Sequence, residues 1–175
     1  MTIRCAMTGR PMDVGDGIYD DGEWISWEYI NQHLYERELR EEFPQADLQL
    51  IKVFETLVEA AADYKDLTGR SLQVWGELGE LYAELKFGIK RHKAHAPGSD
   101  GRMGNDFVEV KTISPEKTGE QVSVKRAGNF NKLCVVRITE KWEFTSHMID
   151  RKRLSKGNGG RVAKVRWKDI SNTPE

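Results

Sequence analysis

Residues 98–112 hold two acids and a lysine around one predicted tight turn. Gly104-Asn105 is a favoured two-residue hairpin loop, because glycine suits the first central position of a type II′ turn. With the turn placed there, Asp100 faces Glu109 across the hairpin, and directly facing residues project from the same side. Lys111 lies two residues beyond Glu109, so its side chain points to that side as well. The spacing therefore predicts two carboxylates and one ammonium on one sheet face.

Two neighbouring carboxylates and a lysine are suited to metal-assisted hydrolysis of a phosphodiester. Carboxylates so placed repel each other unless a cation lies between them, and Mg²⁺ or Mn²⁺ prefers hard oxygen ligands. Such an ion lowers the pKa of a bound water and offsets charge on a phosphoryl oxygen, while a nearby lysine positions that water. We therefore interpret Asp100 and Glu109 as metal ligands and Lys111 as a catalytic lysine. The alternative is a surface hairpin in which the same residues form only an ion-pair cluster.

A predicted helix ahead of this hairpin carries three glutamates on one face. They are Glu77, Glu80 and Glu84. Like charges at this spacing repel, and Gly76 and Gly79 each cost about 1 kcal/mol relative to Ala inside a helix. Small residues let a helix backbone approach a sheet closely, which favours Glu80, and after it Glu77, as a group that reaches the metal directly or through water. The alternative is a solvent-exposed face paired with lysines such as Lys86.

Asp100, the triplet Glu109-Val110-Lys111 and the helix segment Gly76-Glu77-Leu78-Gly79-Glu80 resemble the motifs of the PD-(D/E)xK nuclease superfamily. The resemblance covers residues 70–146. It implies a restriction-endonuclease-like α/β fold, in which a mixed β-sheet is flanked by helices. It also implies a Mg²⁺- or Mn²⁺-dependent endonuclease that hydrolyses phosphodiester bonds of DNA. The site residues that it implies are Asp100, Glu109 and Glu80 as catalytic metal ligands and Lys111 as the catalytic lysine.

The second half of the chain carries basic residues that suit contact with nucleic acid. Residues 151–168 contain eight Lys and Arg and no acid, the sequence-independent positive charge that phosphate contacts need. The resemblance also implies a further polar residue of the site after the Glu-x-Lys triplet, for which Gln121, Ser123 and Lys125 are candidates; the alternative is a contact at the basic rim. The predicted nucleic-acid-binding residues are Lys125, Arg126, Arg153, Arg161 and Lys164. The alternative is a solvated charged surface.

Other metal-binding patterns in the sequence are weak. Cys5 resembles half of a zinc knuckle, but Thr8 stands at the second ligand position, and one thiolate cannot form a tetrahedral sulfur site. His92 and His95 would lie on opposite faces of a strand, which disfavours a transition-metal site. We expect these residues to be structural.

The charge of the chain is divided unevenly along its length. Residues 1–85 carry seven Lys and Arg against 18 Asp and Glu, whereas residues 86–175 carry 20 against ten. This asymmetry favours a polyanionic partner for the second half, although the two halves could also neutralise each other. Two further functions stay open: a non-catalytic nucleic-acid-binding or regulatory module on the same fold, and a protein-interaction domain. The acidic segment could pack on the basic half, form a homodimer or screen the groove.

Periodicity and turn signals predict the elements that position these residues. We expect hairpin arms at 17–19 and 23–25, then helices beginning at Ser26, spanning 46–67 and running from Ser71 to Phe87. The predicted strands are 90–95, 98–103, 106–113, 132–138, 141–146 and 161–167, with Leu133–Ile138 as a central strand. The chain is thus predicted to comprise an acidic hairpin and helical segment, residues 1–68, and a basic nuclease-like α/β domain, residues 69–175.

Composition excludes several classes of protein. No apolar run approaches the length of about 20 residues that a membrane span needs, and no signal peptide is recognised at the N-terminus. Cys5 and Cys134 lie far apart, so no disulfide framework is implied and a reducing cytoplasm is the expected compartment.

Overall fold

The computed structural model of the 175-residue chain describes residues 3–93, 98–154 and 161–171, and it falls into two compact units. The units are Met1–Pro44 and Gln45–Glu175. The sequence predicted this boundary after residue 68. It lies earlier because the helix that ends at Thr68 packs on the next helix of the second unit.

The first unit contains short strands and one helix. Its elements are β1 Ile3–Arg4, β2 Pro11–Met12, β3 Gly17–Asp20, β4 Glu23–Ser26 and α1 Trp27–Glu42. The predicted hairpin is confirmed, with Ile18 paired with Ile25. Ser26 caps α1 as predicted, because its hydroxyl accepts a hydrogen bond from the backbone N–H of Tyr29.

Local contacts explain where helix α2 of the second unit begins and ends. The helices of this unit are α2 Leu48–Thr68, α3 Trp75–Phe87 and α4 Trp167–Ile170. Asp47 caps α2, and Gly69 ends it with a left-handed φ of 67°. The predicted cap of α3 at Ser71 is wrong: α3 begins at Trp75, while the Ser71 hydroxyl turns to Glu116 and lowers the pKa of its carboxyl. Among the described residues, no helix combines the length and hydrophobicity of a membrane span.

A five-stranded mixed sheet forms the centre of the second unit. Its strands are β5 Lys90–Arg91, β6 Gly101–Met103, β7 Asp106–Ile113, β9 Lys132–Ile138 and β10 Phe144–Asp150. They lie in the order β10-β9-β7-β6-β5, in which β7 and β9 are parallel and the other neighbours antiparallel. The predicted bounds of β7 and β9 are confirmed, and β9 is a buried interior strand.

Four predicted strands have different bounds, one of which, predicted at 161–167, is observed at Val162–Arg166. β5 and β6 are shorter than predicted, and His95 lies outside the described residues. β10 begins at Phe144 rather than at residue 141, because the chain first turns through Trp142, whose φ is 61° and whose N–H donates to the Thr139 carbonyl. The Gly157–Gly160 turn also lies outside the described residues.

A two-stranded ribbon covers one face of this sheet. It consists of β8 Gln121–Lys125 and β11 Val162–Arg166, paired antiparallel. β8 was not predicted as a strand. The ribbon, α4 and the sheet enclose a buried core: Ile113, Val122, Val124, Phe130, Leu133, Val135, Ile149, Val165, Trp167 and Ile170. Because alternate residues of a strand face opposite ways, the ribbon and α3 contact opposite sides of β7.

Candidate active site

The candidate site lies where one edge of β7 loses its neighbouring strand. β6 pairs with β7 only as far as Gly101 opposite Val108, so the edge of β7 beyond Val108 is open on that side. In an extended strand the N–H and C=O of one residue point to the same edge, and alternate residues share it. Val110 and Thr112 therefore direct backbone groups into the open edge, and these groups need partners other than a strand.

Asp100 provides the first of these partners. Its Oδ2 accepts a hydrogen bond of 2.6 Å from the N–H of Val110, and its own N–H donates to the Val108 carbonyl at 3.0 Å. The predicted hairpin register is confirmed for Arg102 with Phe107 and for Met103 with Asp106. The predicted direct pair of Asp100 with Glu109 is wrong, because the ladder ends one residue earlier and the Asp100 carboxylate turns along the edge.

Lys111 joins the two predicted carboxylates. Its Nζ lies 2.6 Å from Oε1 of Glu109 and 3.9 Å from Oδ2 of Asp100, and it donates to the Val110 carbonyl at 3.0 Å. All three charged side chains are between about a fifth and a third exposed, with values of 18% for Glu109, 27% for Asp100 and 32% for Lys111. The structure thus brings together the two acids and the amine that the sequence predicted.

Glu80 stands beside this group on α3. Burial raises the pKa of its carboxyl, and the negative charges of Asp100 and Glu77 raise it further, while Arg91 and Lys111 lower it. Glu80 also lines one cleft together with Val110 and Lys111. Among the described residues, Glu80 has no salt-bridge partner.

The glutamates on either side of Glu80 are neutralised by one arginine. Arg91 on β5 lies 3.7 Å from Glu77 and 2.5 Å from Glu84. Arg91, a partner that the sequence did not reveal, therefore pairs with two of the three glutamates on this face of α3. Of the three glutamates, Glu80 is therefore the one without a salt-bridge partner among the described residues.

Close packing of α3 on β7 fixes the position of Glu80. A Cβ added to Gly79 would meet Oγ1 of Thr112 at 2.0 Å, so only glycine allows this approach. Gly76 differs, because an added Cβ there would meet nothing within 4 Å. The predicted close approach is confirmed for Gly79 and wrong for Gly76.

Two clefts open from the edge of β7, and Lys111 lines both. The first has a volume of about 540 Å³ and includes Gly76 and Glu80 in its wall. The second has a volume of about 750 Å³ and reaches Gln121 and Ser123 of the ribbon. The residues shared by both clefts are Lys111, Glu116 and Lys117. The candidate site is therefore open to solvent and large enough to admit part of a polymer.

Lys117 is a functional candidate that the sequence did not reveal. Its Nζ donates to the Thr112 carbonyl at 2.6 Å, two residues along the edge from the carbonyl that Lys111 binds. Burial lowers the pKa of the Lys117 amine, and the charge of Lys111 lowers it further. Lys117 follows the strand in a loop, where side-chain alternation gives no direction, so no sequence signal was available.

The oxygens at the edge are chemically suited to a hard divalent cation. The carboxylates of Asp100 and Glu109 and the Val110 carbonyl already surround one positive charge, the Lys111 ammonium. Oxygen donors of this kind are those that Mg²⁺ and Mn²⁺ prefer. In the part of the chain that the structure describes, no three His, Cys, Asp or Glu side chains form a metal-binding group by themselves.

The predicted nucleic-acid-binding residues occupy different places. Lys125 and Lys164 lie on the outward face of the ribbon, where Lys164 pairs with Ser123. Arg161 is exposed just before β11, and Arg153 is exposed in the turn after β10. Arg126 is half-buried and lines a separate cleft of about 600 Å³. The structure therefore groups Lys125 with Lys164 on the ribbon and joins Arg126 to Arg161 at its end, where the Arg126 N–H donates to the Arg161 carbonyl at 2.9 Å.

The side chains of His92, Asp106 and Cys5 bond to groups outside the cluster. Nδ1 of His92 lies 3.1 Å from the Ser99 carbonyl oxygen, and its proposed companion His95 is outside the described residues. Asp106 pairs with Lys132 at 3.6 Å. Cys5 is buried and accepts hydrogen bonds from the N–H and hydroxyl of Ser26; these bonds, together with those of Thr8, lower the pKa of its thiol to about 6.

Comparison with known proteins gives no family for this chain. No protein-family model matches it, and no curated protein is significantly similar to it.

Proposed function

We propose that this chain is a Mg²⁺- or Mn²⁺-dependent nuclease that hydrolyses phosphodiester bonds of DNA. The observation that carries the proposal is the convergence of Asp100, Glu109 and Lys111 at the open edge of β7. The order of the elements supports it, since a glutamate-bearing helix is followed by Asp100 directly before β6 and by Glu-x-Lys on β7. On the same grounds we propose a restriction-endonuclease-like fold within the PD-(D/E)xK superfamily.

Each side chain of the cluster has a role that its surroundings suit. The carboxylates of Asp100 and Glu109 and the carbonyl of Val110 would hold the divalent ion, with Glu80 supporting the ion or its water. When bound, the ion supplies Lewis acidity, lowering the pKa of a water and offsetting phosphoryl charge. Lys111, released from Glu109, donates a hydrogen bond to the attacking water and stabilises the charge that develops on the phosphoryl group.

The outward face of the ribbon would bind the DNA backbone. Lys125 and Lys164 lie there, and the second cleft connects this face to Lys111 through Gln121 and Ser123. Contacts of lysine with phosphate are independent of sequence and weaken as salt is added. The two thiols of the chain, Cys5 and Cys134, are both free and buried, which agrees with the cytoplasmic location that we propose.

A non-catalytic nucleic-acid-binding module is the second candidate. It is favoured by one distance, the 2.6 Å between Lys111 Nζ and Glu109, because this ion pair balances a carboxylate without any metal. In such a module the cluster would only satisfy the open edge of β7, and the ribbon would bind nucleic acid without cutting it.

A cleavage assay separates the two candidates. Purified protein is incubated with plasmid DNA and Mg²⁺ or Mn²⁺, with EDTA as the blank. We expect Lys111→Ala to reduce cleavage by about 100-fold or more, because the group that stabilises transition-state charge is lost, while most of the DNA affinity remains. The matched control is Lys141→Ala, which removes an exposed lysine from the β9–β10 turn and should cleave normally.

The opposite result is equally clear. Wild-type protein that binds DNA but does not cut it with either ion would reject the nuclease and support the binding module. Cleavage by Lys111→Ala at the wild-type rate would reject the role proposed for the lysine. Equal thermal midpoints of the variants would exclude unfolding as the cause of any loss.

A further inference from the structure

We propose that Lys117 binds the backbone phosphate next to the one that Lys111 contacts, so that the two lysines hold consecutive phosphates of one nucleic-acid strand. This inference rests on the proposed function, because it assigns a substrate contact within the same site. The sequence motif contains only Lys111, and the assignment of Lys117 comes from its place on the strand edge.

The two lysines are positioned by consecutive outward carbonyls of β7. Lys111 Nζ donates to Val110 O at 3.0 Å, and Lys117 Nζ donates to Thr112 O at 2.6 Å. Carbonyls of alternate residues on one strand edge are about 7 Å apart, given a rise of about 3.3 Å per residue. A strand of nucleic acid lying along this edge would present one phosphate to each ammonium.

The electrostatic surroundings of Lys117 favour an anion. Its ammonium is partly desolvated and lies in the field of Lys111, and both effects lower its pKa. A phosphate beside each ammonium would relieve the repulsion between the two like charges. Glu116 lies at the same junction, but its carboxylate is drawn towards Ser71 and Gln73, which lower its pKa by hydrogen bonding. Lys111 and Lys117 are therefore the charged groups at this junction that remain to bind an anion.

The second cleft continues the path of a strand beyond Lys117. Its wall includes Gln121 and Ser123, whose β8 positions lie opposite Arg166 and Lys164 on the outward face of the ribbon. A strand that leaves Lys117 would thus meet polar and basic side chains. No carboxylate other than that of Glu116 lines this cleft among the described residues.

Binding of an oligonucleotide without divalent metal tests the inference. A fluorescein-labelled single-stranded thymidine oligonucleotide is titrated with the whole chain in EDTA over a range of salt concentrations. We expect Lys117→Gln to weaken binding about fivefold at 0.1 M salt and to reduce the slope of log K against log salt by about 0.7, the loss of one phosphate contact. Lys117→Arg should restore both values, and the control Lys141→Gln should bind like wild type.

The outcomes distinguish this inference from the proposed function. If Lys117→Gln binds with wild-type affinity and slope, the phosphate site is refuted even where the wild type cleaves DNA. If the wild type never cleaves but Lys117→Gln shows the predicted loss, the phosphate site stands and the nuclease is rejected. If Lys117→Arg fails to restore binding while its thermal midpoint matches wild type, charge at this position is not the cause and the inference fails.

Discussion

At the scale of single residues, three carboxylates lie around a single ammonium, that of Lys111. Lys111 contacts Glu109 and Asp100, while Glu80 lies beside them with no salt-bridge partner among the described residues. The group therefore carries an excess of negative charge, which accounts for part of the raised pKa of Glu80. Such an excess is what a divalent cation would offset, and a perturbed carboxyl beside a cleft is typical of functional sites.

Replacing Glu80 tests this electrostatic reading. Because the pKa of the Glu80 carboxyl is raised in the folded protein, the carboxyl stabilises the fold below pH 4.5, its usual pKa. This contribution is lost as the pH rises through the raised pKa. We expect Glu80→Gln to raise the thermal midpoint at pH 7 by about 1 °C or more, since 1 kcal/mol corresponds to about 2–4 °C at this size. The gain should shrink as the pH falls through the raised pKa and should be absent below 4.5, which thermal melts at several pH values would measure.

The same variant should cleave DNA more slowly, because Glu80 supports the ion or its water. A melt in which Glu80→Gln is no more stable than wild type at pH 7 would contradict the proposed charge excess. Glu38→Gln on the exposed face of α1 is the control, and we expect no change in its midpoint.

Much of the arrangement of the site residues could be predicted from the sequence. The rest depends on contacts between elements, which the sequence does not show. The alternation of side chains in β7 was sufficient to place Glu109 and Lys111 together. It could not show that β6 would end before Asp100 paired with Glu109, because strand ends depend on neighbours. Lys117 was hidden because it lies in the loop after β7, and its direction is set by its hydrogen bond to the Thr112 carbonyl.

At the scale of elements, the site depends on how closely α3 approaches β7. Gly79 lies against Thr112, and the next residue of the helix, Glu80, lines a cleft with Val110 and Lys111 of β7. The glycines looked alike in the sequence, yet only one of them meets the sheet. The pattern Gln121-Val-Ser-Val-Lys125 alternates in polarity, as strands do, but its polar residues drew attention as site candidates and β8 was not predicted.

Alanine at the two glycines gives a matched comparison. We expect Gly79→Ala to destabilise the protein by about 1–3 kcal/mol, because its Cβ would overlap Oγ1 of Thr112 and force α3 away. Gly76→Ala should stabilise it by up to about 1 kcal/mol, because alanine favours helix and meets no atom there. Urea denaturation of both variants measures the free energy of unfolding. Equal effects of the two substitutions would show that α3 does not pack on β7 in this way.

At the scale of the whole molecule, charge and structure divide the chain at different places. Unit Met1–Pro44 has four Lys and Arg against ten Asp and Glu, and Gln45–Glu175 has 23 against 18. The acidic helix α2 belongs to the second unit, because its buried face packs within that unit. A helical period shows which face of α2 is buried but not which element covers it, so the sequence placed the boundary too late. A homodimer stays a prediction.

The most direct test of the account is where Mn²⁺ binds in crystals of the whole chain. The account predicts an anomalous peak between the carboxylates of Asp100 and Glu109, with the Lys111 ammonium moved away from Glu109. The same soak of Glu109→Gln crystals should give no peak. Wild-type crystals at saturating Mn²⁺ that show no peak there, with Lys111 still joined to Glu109, would contradict the nuclease.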